Sequence, residues 1–261
     1  STSRFWPDGP KCTARTSRRR RARWYSRRPC RGDGPQRGLI GVAMDDLLKR
    51  LSRFEKRFFP RYRDEYRRLV AEGQHPKTLF IGCSDSRIVP YVLTGTGPGD
   101  LFVVRNVGCL VPPYDAVTGD HSTAAAVEFA VERLGVHDIV LCGHSHCGAM
   151  RALYDDPSES MPNLNRWLDF ARDAALPVTV TEEALRRTEQ RSIVLQLERL
   201  MGYPMVARGV EEGRLFLHGW HYVIEDGRIL VFDVERGEFV PTDVAIADQQ
   251  PATDPAPYQL Q

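Results

Sequence analysis

Leu79-Phe80-Ile81-Gly82-Cys83-Ser84-Asp85-Ser86-Arg87 decides the reading of this chain, together with a second stretch of the same design, Ile139-Val140-Leu141-Cys142-Gly143-His144-Ser145-His146-Cys147-Gly148. Each starts as a short apolar run, the pattern of a buried strand, and each ends in metal-ligand side chains. Cys83, His144 and Cys147 are soft-to-borderline ligands delivered to strand ends, and Asp85 and Arg87 follow the first of them. Three protein ligands with a fourth position open are the pattern of a catalytic zinc site. His144 and Cys147 are spaced so that a strand end and a first helical turn face one metal, while Cys83 approaches from a parallel strand. A structural site with His146 as fourth ligand fits less well, because His144 and His146 would crowd one tetrahedral ion. A redox dithiol is disfavoured by the absence of any Cys-x-x-Cys.

Ligation by two thiolates and one imidazole has a chemical consequence. The thiolates cancel the charge of zinc, so the ion acidifies its water less than a three-histidine site does. A neighbouring group must help orient and deprotonate that water. Asp85 is near enough in sequence to reach the metal, and Arg87 can hold it in a bidentate pair. The plainer reading is a surface Asp–Arg pair capping the turn before Pro90. Asp85 could instead take the fourth coordination position itself, which would close the site.

Outward from these stretches the pattern alternates. Leu47, Leu51, Phe54 and Phe58 form a helical stripe from Met44; Pro60 breaks or kinks it, and Tyr62–Ala71 resumes helically until Gly73. Thr78–Gly82, Asp100–Arg105 and His137–Cys142 read as strands, with an Ala-rich helix over Ser122–Leu134. Asn163–Ala175 and Thr181–Met201 read as helices, the second turning Ile193, Leu197, Leu200 and Met201 to the core. Arg214–Ile224 and Arg228–Val234 are strands joined by the hairpin turn Glu225-Asp226-Gly227. The expected fold class is α/β: a central, mostly parallel β-sheet flanked by helices, with an N-terminal helical arm. Sites in such sheets lie beyond the carboxyl ends of strands, where both ligand stretches fall.

The formal net charge of +2 over 261 residues hides an asymmetry. Residues 1–43 hold eleven Arg and one Lys against Asp8 and Asp33, whereas the remainder carries 24 basic and 32 acidic side chains. Residues 1–43 are expected to be a disordered basic extension, or to lie outside the native protein with Met44 as its start; a nucleic-acid arm is the less favoured reading. One domain is expected over 44–241, followed by a Pro/Ala/Asp/Gln-rich tail, 242–261, that frays. No apolar stretch approaches the ~18–20 residues that span a bilayer, and the basic start lacks the apolar core of a secretory signal. Six cysteines do not make a disulfide scaffold in a chain of this size. Cys109 and Cys142 read as small buried hydrophobes, and thiolate ligands require a reducing compartment, so the expected location is the cytoplasm.

Cys-Ser-Asp-Ser-Arg followed by Gly-His-Ser-His-Cys-Gly-Ala resembles the β-class carbonic anhydrases, whose signatures are Cys-x-Asp-x-Arg and His-x-x-Cys. The resemblance extends to Gly99–Asn106, Val111-Pro112-Pro113-Tyr114 and Leu217-His218-Gly219-Trp220, and covers roughly Met44–Pro241. It implies Zn2+ on Cys83, His144 and Cys147, Asp85 and Arg87 as the orienting pair, and the β-carbonic anhydrase fold. It implies reversible hydration of carbon dioxide by zinc-bound hydroxide, giving bicarbonate and a proton. The N-terminal helices would clasp a second copy, so a dimer is the minimum, with tetramers or octamers above it; membranes and nucleic acid are not expected partners. Phe102, Val107, Leu110 and Val111 are candidates for the apolar substrate wall, and His146 and Tyr114 for a proton shuttle. Gly97 departs from the family, many of whose members place Gln or Glu just before Pro-Gly-Asp. Glu198 stands where the bicarbonate-inhibited subtype carries a Tyr, which implies the plant- and cyanobacterial-like subtype. Hydrolysis of carbonyl sulfide or carbon disulfide on the same scaffold is the alternative activity, and a zinc-stabilised binding module a more distant one.

Overall fold

The computed structural model describes residues 39–114 and 121–247. Residues 1–38 of the basic extension and 248–261 of the tail lie outside the described residues. The chain divides into two units, residues 1–56 and 57–261. In the first, the described residues form a helix, Leu39–Arg53, that begins ahead of Met44 and carries an Asp46–Arg50 ion pair across one turn. Leu47, Leu51 and Phe54, the stripe read from the sequence, are about half exposed.

The second unit holds a six-stranded sheet in the order β2-β1-β3-β4-β5-β6. Its strands are β1 (Thr78–Cys83), β2 (Leu101–Asn106), β3 (Asp138–His144), β4 (Phe216–Val223), β5 (Arg228–Asp233) and β6 (Glu238–Pro241). The first four in chain order run parallel, and β5 and β6 pair antiparallel. The sheet is thus mostly parallel, as expected. Its central strands are buried on both faces, which is why they read as continuous apolar runs. Leu79, Ile81, Ile139 and Leu141 join the helix-covered core with Val127, Ile193, Leu200 and Tyr203. Phe80, Val140 and Cys142 point to the opposite face, beside Trp220.

Pro60 marks an interruption of the N-terminal helix, as its missing N–H implied. It sits in the first turn of a helix over Phe59–Glu72, where the N–H it lacks would have no partner anyway, and a π-helical turn, Phe54–Phe58, precedes it. The Ala-rich helix spans Ser122–Glu128 and continues as a π turn to Leu134. Pro162–Leu168 is α-helical, but the expected continuation to Ala175 tightens into a 3₁₀ segment, Asp169–Ala174. The long helix, Glu182–Met201, starts where Thr181 Oγ1 accepts a hydrogen bond from the Ala184 N–H. Its last residue corrects the sequence reading. Met201 is 39% exposed, because the helical period that buries Ile193 and Leu200 carries position 201 past the core stripe.

Several short elements went unread, among them the helices Pro90–Thr94 and Pro204–Glu211, strand β6, and the helix Thr242–Ala247. The last corrects the expected fraying of the tail at its first six residues, which pack beside β5 and β6, with Thr242 Oγ1 donating to the Ile229 carbonyl.

One packing detail positions the site. A Cβ on Gly143 would lie 2.8 Å from Ile193 Cδ1, and one on Gly219 would lie 2.9 Å from both Ile193 Cγ2 and Leu197 Cδ1. Glycine in β3 and again in β4 therefore lets the long helix settle directly onto the sheet.

Candidate metal centre

Cys83 ends β1 and His144 ends β3. These are neighbouring parallel strands in which Gly82 faces Cys142, so both side chains emerge at the same carboxyl edge. Beyond β3 the chain turns through Ser145 and His146, the latter in the left-handed region at φ 55°, and presents Cys147 just before the short helix Gly148–Arg151. A left-handed non-glycine residue is a strained choice that clusters at functional turns. The strand end is fastened by Ser145: its amide donates to the Tyr222 carbonyl, and its hydroxyl donates to Glu225 at 2.6 Å while accepting from the Ile224 amide.

The ligand atoms of Cys83, His144 and Cys147, all buried, lie within 4.8 Å of one another. His144 Nδ1 is engaged with the Ser145 carbonyl at 2.8 Å, which places the proton there and leaves Nε2 as the lone-pair nitrogen. Nε2 is buried and makes no hydrogen bond of ordinary geometry. A soft ion is the partner this donor set fits: two sulfurs and an imidazole nitrogen, converging and dry. Without metal, the Cys83 thiol is drawn well below its usual range, chiefly by the Cys147 thiol and further by His144 and the amides of Asp85 and Gly108. Cys147 is pushed up by the same contact and by burial. Burial alone would lower His144, but its contact with Cys83 and its bond to Ser145 outweigh that and raise it. A metal held there would displace the thiol protons.

Asp85 and Arg87 stand at the mouth. Arg87 Nε donates to Asp85 Oδ1 at 2.9 Å and Nη2 to Oδ2 at 2.7 Å, a bidentate pair, while the Arg87 amide adds a third bond to Oδ1. The guanidinium holds the Asp85 carboxyl well below the usual carboxylate range. Asp85 Oδ2 is 3.9 Å from His144 Nε2, beside the ligand atoms. Arg87 Nη2 also donates to the His146 carbonyl, tying the two ligand loops together. Arg105, from β2, had no role assigned from sequence. It donates to the backbone carbonyls of Cys83 and Asp85 and so fixes the loop that carries both. A lone Arg at the end of the apolar run Leu101–Val104 was the available signal.

The remaining candidates fall in different places. Leu110 is fully buried in the cluster that contains Cys83, Cys147, Ala149 and Met150. Val107 is 41% exposed, with its carbonyl accepting from Trp167 Nε1. Phe102, stacked on Phe129, and Val111 belong instead to the core cluster that holds Ile193 and Leu200. The His146 ring is not among the converging ligands; its Nε2 lies 3.6 Å from Glu225. Tyr114 packs edge-on against Tyr203. The described cysteines, 83, 109, 142 and 147, are all free, and burial pushes Cys142 up to about 12 and Cys109 well above its usual range. Among the described residues no helix is long and apolar enough to cross a membrane.

The model of the carbonic anhydrase family matches residues 78–229, which include all three ligands and the Asp–Arg pair. The chain belongs to the carbonic anhydrase family. A carbonic anhydrase of Pseudomonas aeruginosa is 42% identical over 76% of this chain and 91% of its own length. The solved β-carbonic anhydrase CcaA superposes with a TM-score of 0.73 at 37% identity, covering 77% of this chain and 92% of that one. A tetrameric β-carbonic anhydrase of Sordaria macrospora superposes with a TM-score of 0.57 at 31% identity, covering 73% and 94%. These relatives place the chain in the β class, as the two ligand stretches led us to expect.

Proposed function

We propose that this chain is a zinc enzyme that reversibly hydrates carbon dioxide to bicarbonate and a proton, the ion resting on Cys83 Sγ, His144 Nε2 and Cys147 Sγ. The observation that carries this reading is the buried convergence of those atoms beside a carboxylate that is tied to an arginine. A zinc ion held there supplies a Lewis acid that lowers the pKa of water and so provides a nucleophile near neutral pH.

The protein's own groups do the orienting. Asp85, kept ionised by Arg87, is an acceptor only, and it faces the ligand atoms. It accepts a hydrogen bond from the attacking water and aims a lone pair at the carbon of carbon dioxide. A carboxyl this acidic stores a proton poorly, so the proton passes on to solvent or buffer at the mouth, where Arg87 is 45% exposed. Leu110, fully buried against Cys83 and Cys147, gives the ligands an apolar backing. Asp85 bound to Arg87 supports an open site of the plant- and cyanobacterial-like subtype. Thiolate ligation supports a cytoplasmic location, and the tetrameric Sordaria relative supports self-association.

Elemental analysis with stopped-flow carbon dioxide hydration across pH tests the reading. Expected are stoichiometric zinc and activity that rises on the alkaline side, well above any carbonyl sulfide hydrolysis. A zinc-loaded protein inert toward carbon dioxide but active on carbonyl sulfide would transfer the assignment to the alternative hydrolase.

A further inference from the structure

Glu189 is a carboxylate in the wrong place for an ordinary helix residue. It sits on the long helix only 3% exposed, where an ionised group costs several kcal/mol of desolvation unless it is well bonded. Both its oxygens are engaged. Oε1 accepts from the Cys147 backbone N–H at 2.9 Å, and Oε2 lies 3.1 Å from Nε2 of His221, a fully buried residue of β4. Cys147 lies outside the sheet and ahead of its short helix, in extended conformation at φ −70° and ψ 117°. Its amide is therefore anchored by Glu189 and not by regular secondary structure. A cavity of only about 10 Å³ is lined by His144, Cys147, Glu189 and Ser192 among others, barely room for one water.

We propose that Glu189, braced by His221, is a positioning residue for Cys147: it fixes the backbone that aims this sulfur and thereby sets how firmly the site holds its metal. The proposal rests on the reading of Cys147 as a ligand. Groups that orient metal ligands from behind typically change affinity or activity about 10–100-fold when removed.

The test separates positioning from general stability. In the zinc-loaded full chain, Glu189→Leu combined with His221→Phe removes the buried polar pair together, so the fold keeps no orphaned charge. The Cys147 N–H is left without its acceptor, so the melting temperature is expected to fall by several degrees, with unfolding still cooperative. Zinc release to a chromogenic chelator is expected to accelerate about tenfold or more, and the thiolate-to-metal band of the cobalt(II)-substituted protein to shift. Glu189→Gln, whose amide oxygen can still accept the Cys147 N–H, is expected to restore release to within about threefold of the parent. Parental release and a parental cobalt spectrum in the double variant overturn the proposal. If the double variant does not fold, Glu189→Asp decides, since one methylene less withdraws the acceptor; parental release there overturns the proposal equally. Cys147→Ser is the control. If it too holds zinc like the parent, the ligand assignment itself fails, whereas loss of zinc in Cys147→Ser alone rejects only the role of Glu189.

Discussion

Asp85 combines two properties that usually conflict, full ionisation and a fixed direction, because Arg87 grips both its oxygens and Arg105 grips its backbone. Replacing it by Asn keeps the shape and removes the acceptor charge. Asp85→Asn is expected to keep zinc while kcat falls about 10²–10⁴-fold, the usual weight of positioned acid–base groups, as read by stopped flow with metal analysis; unchanged hydration would remove Asp85 from the mechanism. Glu225 makes a prediction in acid. The Ser145 hydroxyl above all, then its own backbone amide, His146 and Arg186, hold its carboxyl down to about 2. A carboxyl depressed by folding contributes stability that is complete above its unfolded pKa of about 4.3 and is lost as pH falls through the folded value. Its 40% exposed side chain and solvent screening limit the effect to ~0.5–1 kcal/mol. Glu225→Gln is expected to flatten the fall in urea stability below pH 4.5, and parallel curves for variant and parent would contradict this. The ligands, Asp85 and Arg87 were legible at this scale because rare residue types stand at strand ends. Glu189 was not: within Thr181–Arg191 it reads as one of several solvated acids, and only the i, i+4 series Leu185, Glu189, Ile193, Leu197 marks it as inward.

At the scale of elements, the contact that matters is the long helix on β3 and β4. Ile193 is wedged above Gly143 and Gly219, and the same seating brings Glu189 behind Cys147. Gly143→Ala is expected to force the helix outward at about 1–3 kcal/mol, the usual cost of overpacking. Urea unfolding reads that loss, and a parental midpoint would show that the seating is loose. Strands β1 to β5 were readable from apolar runs and the Asp-Gly turn. What escaped were elements too short for periodicity to register, among them β6 and the helices Pro90–Thr94, Pro204–Glu211 and Thr242–Ala247. The polar inner face of the long helix, with Thr188, Glu189, Ser192 and Gln196 all buried, also defeats a reading by hydrophobicity. Gln196 explains its share: it accepts from the Val111 amide and donates to the Phe170 carbonyl, pinning the loop after β2.

At the scale of the molecule, the sequence shows its α/β class through alternation of strand and helix signals, while the partner of the N-terminal stripe cannot be read from one chain. Leu47, Leu51, Phe54 and Phe58 are each about half exposed, apolar area that a second copy would cover. Leu51→Asp with Phe58→Asp is expected to shift sedimentation from a dimer or larger assembly toward the monomer, and an unchanged distribution would move the interface elsewhere. The proposed chemistry needs zinc on Cys83, His144 and Cys147, with Asp85 left on Arg87 and free of the metal. Anomalous diffraction at the zinc edge from crystals of the zinc-loaded protein near pH 7 addresses it most directly. The expected result is one zinc peak bonded to those three side chains, with Asp85 still paired to Arg87. A peak bonded to Asp85, or one absent from this triad, would contradict the account.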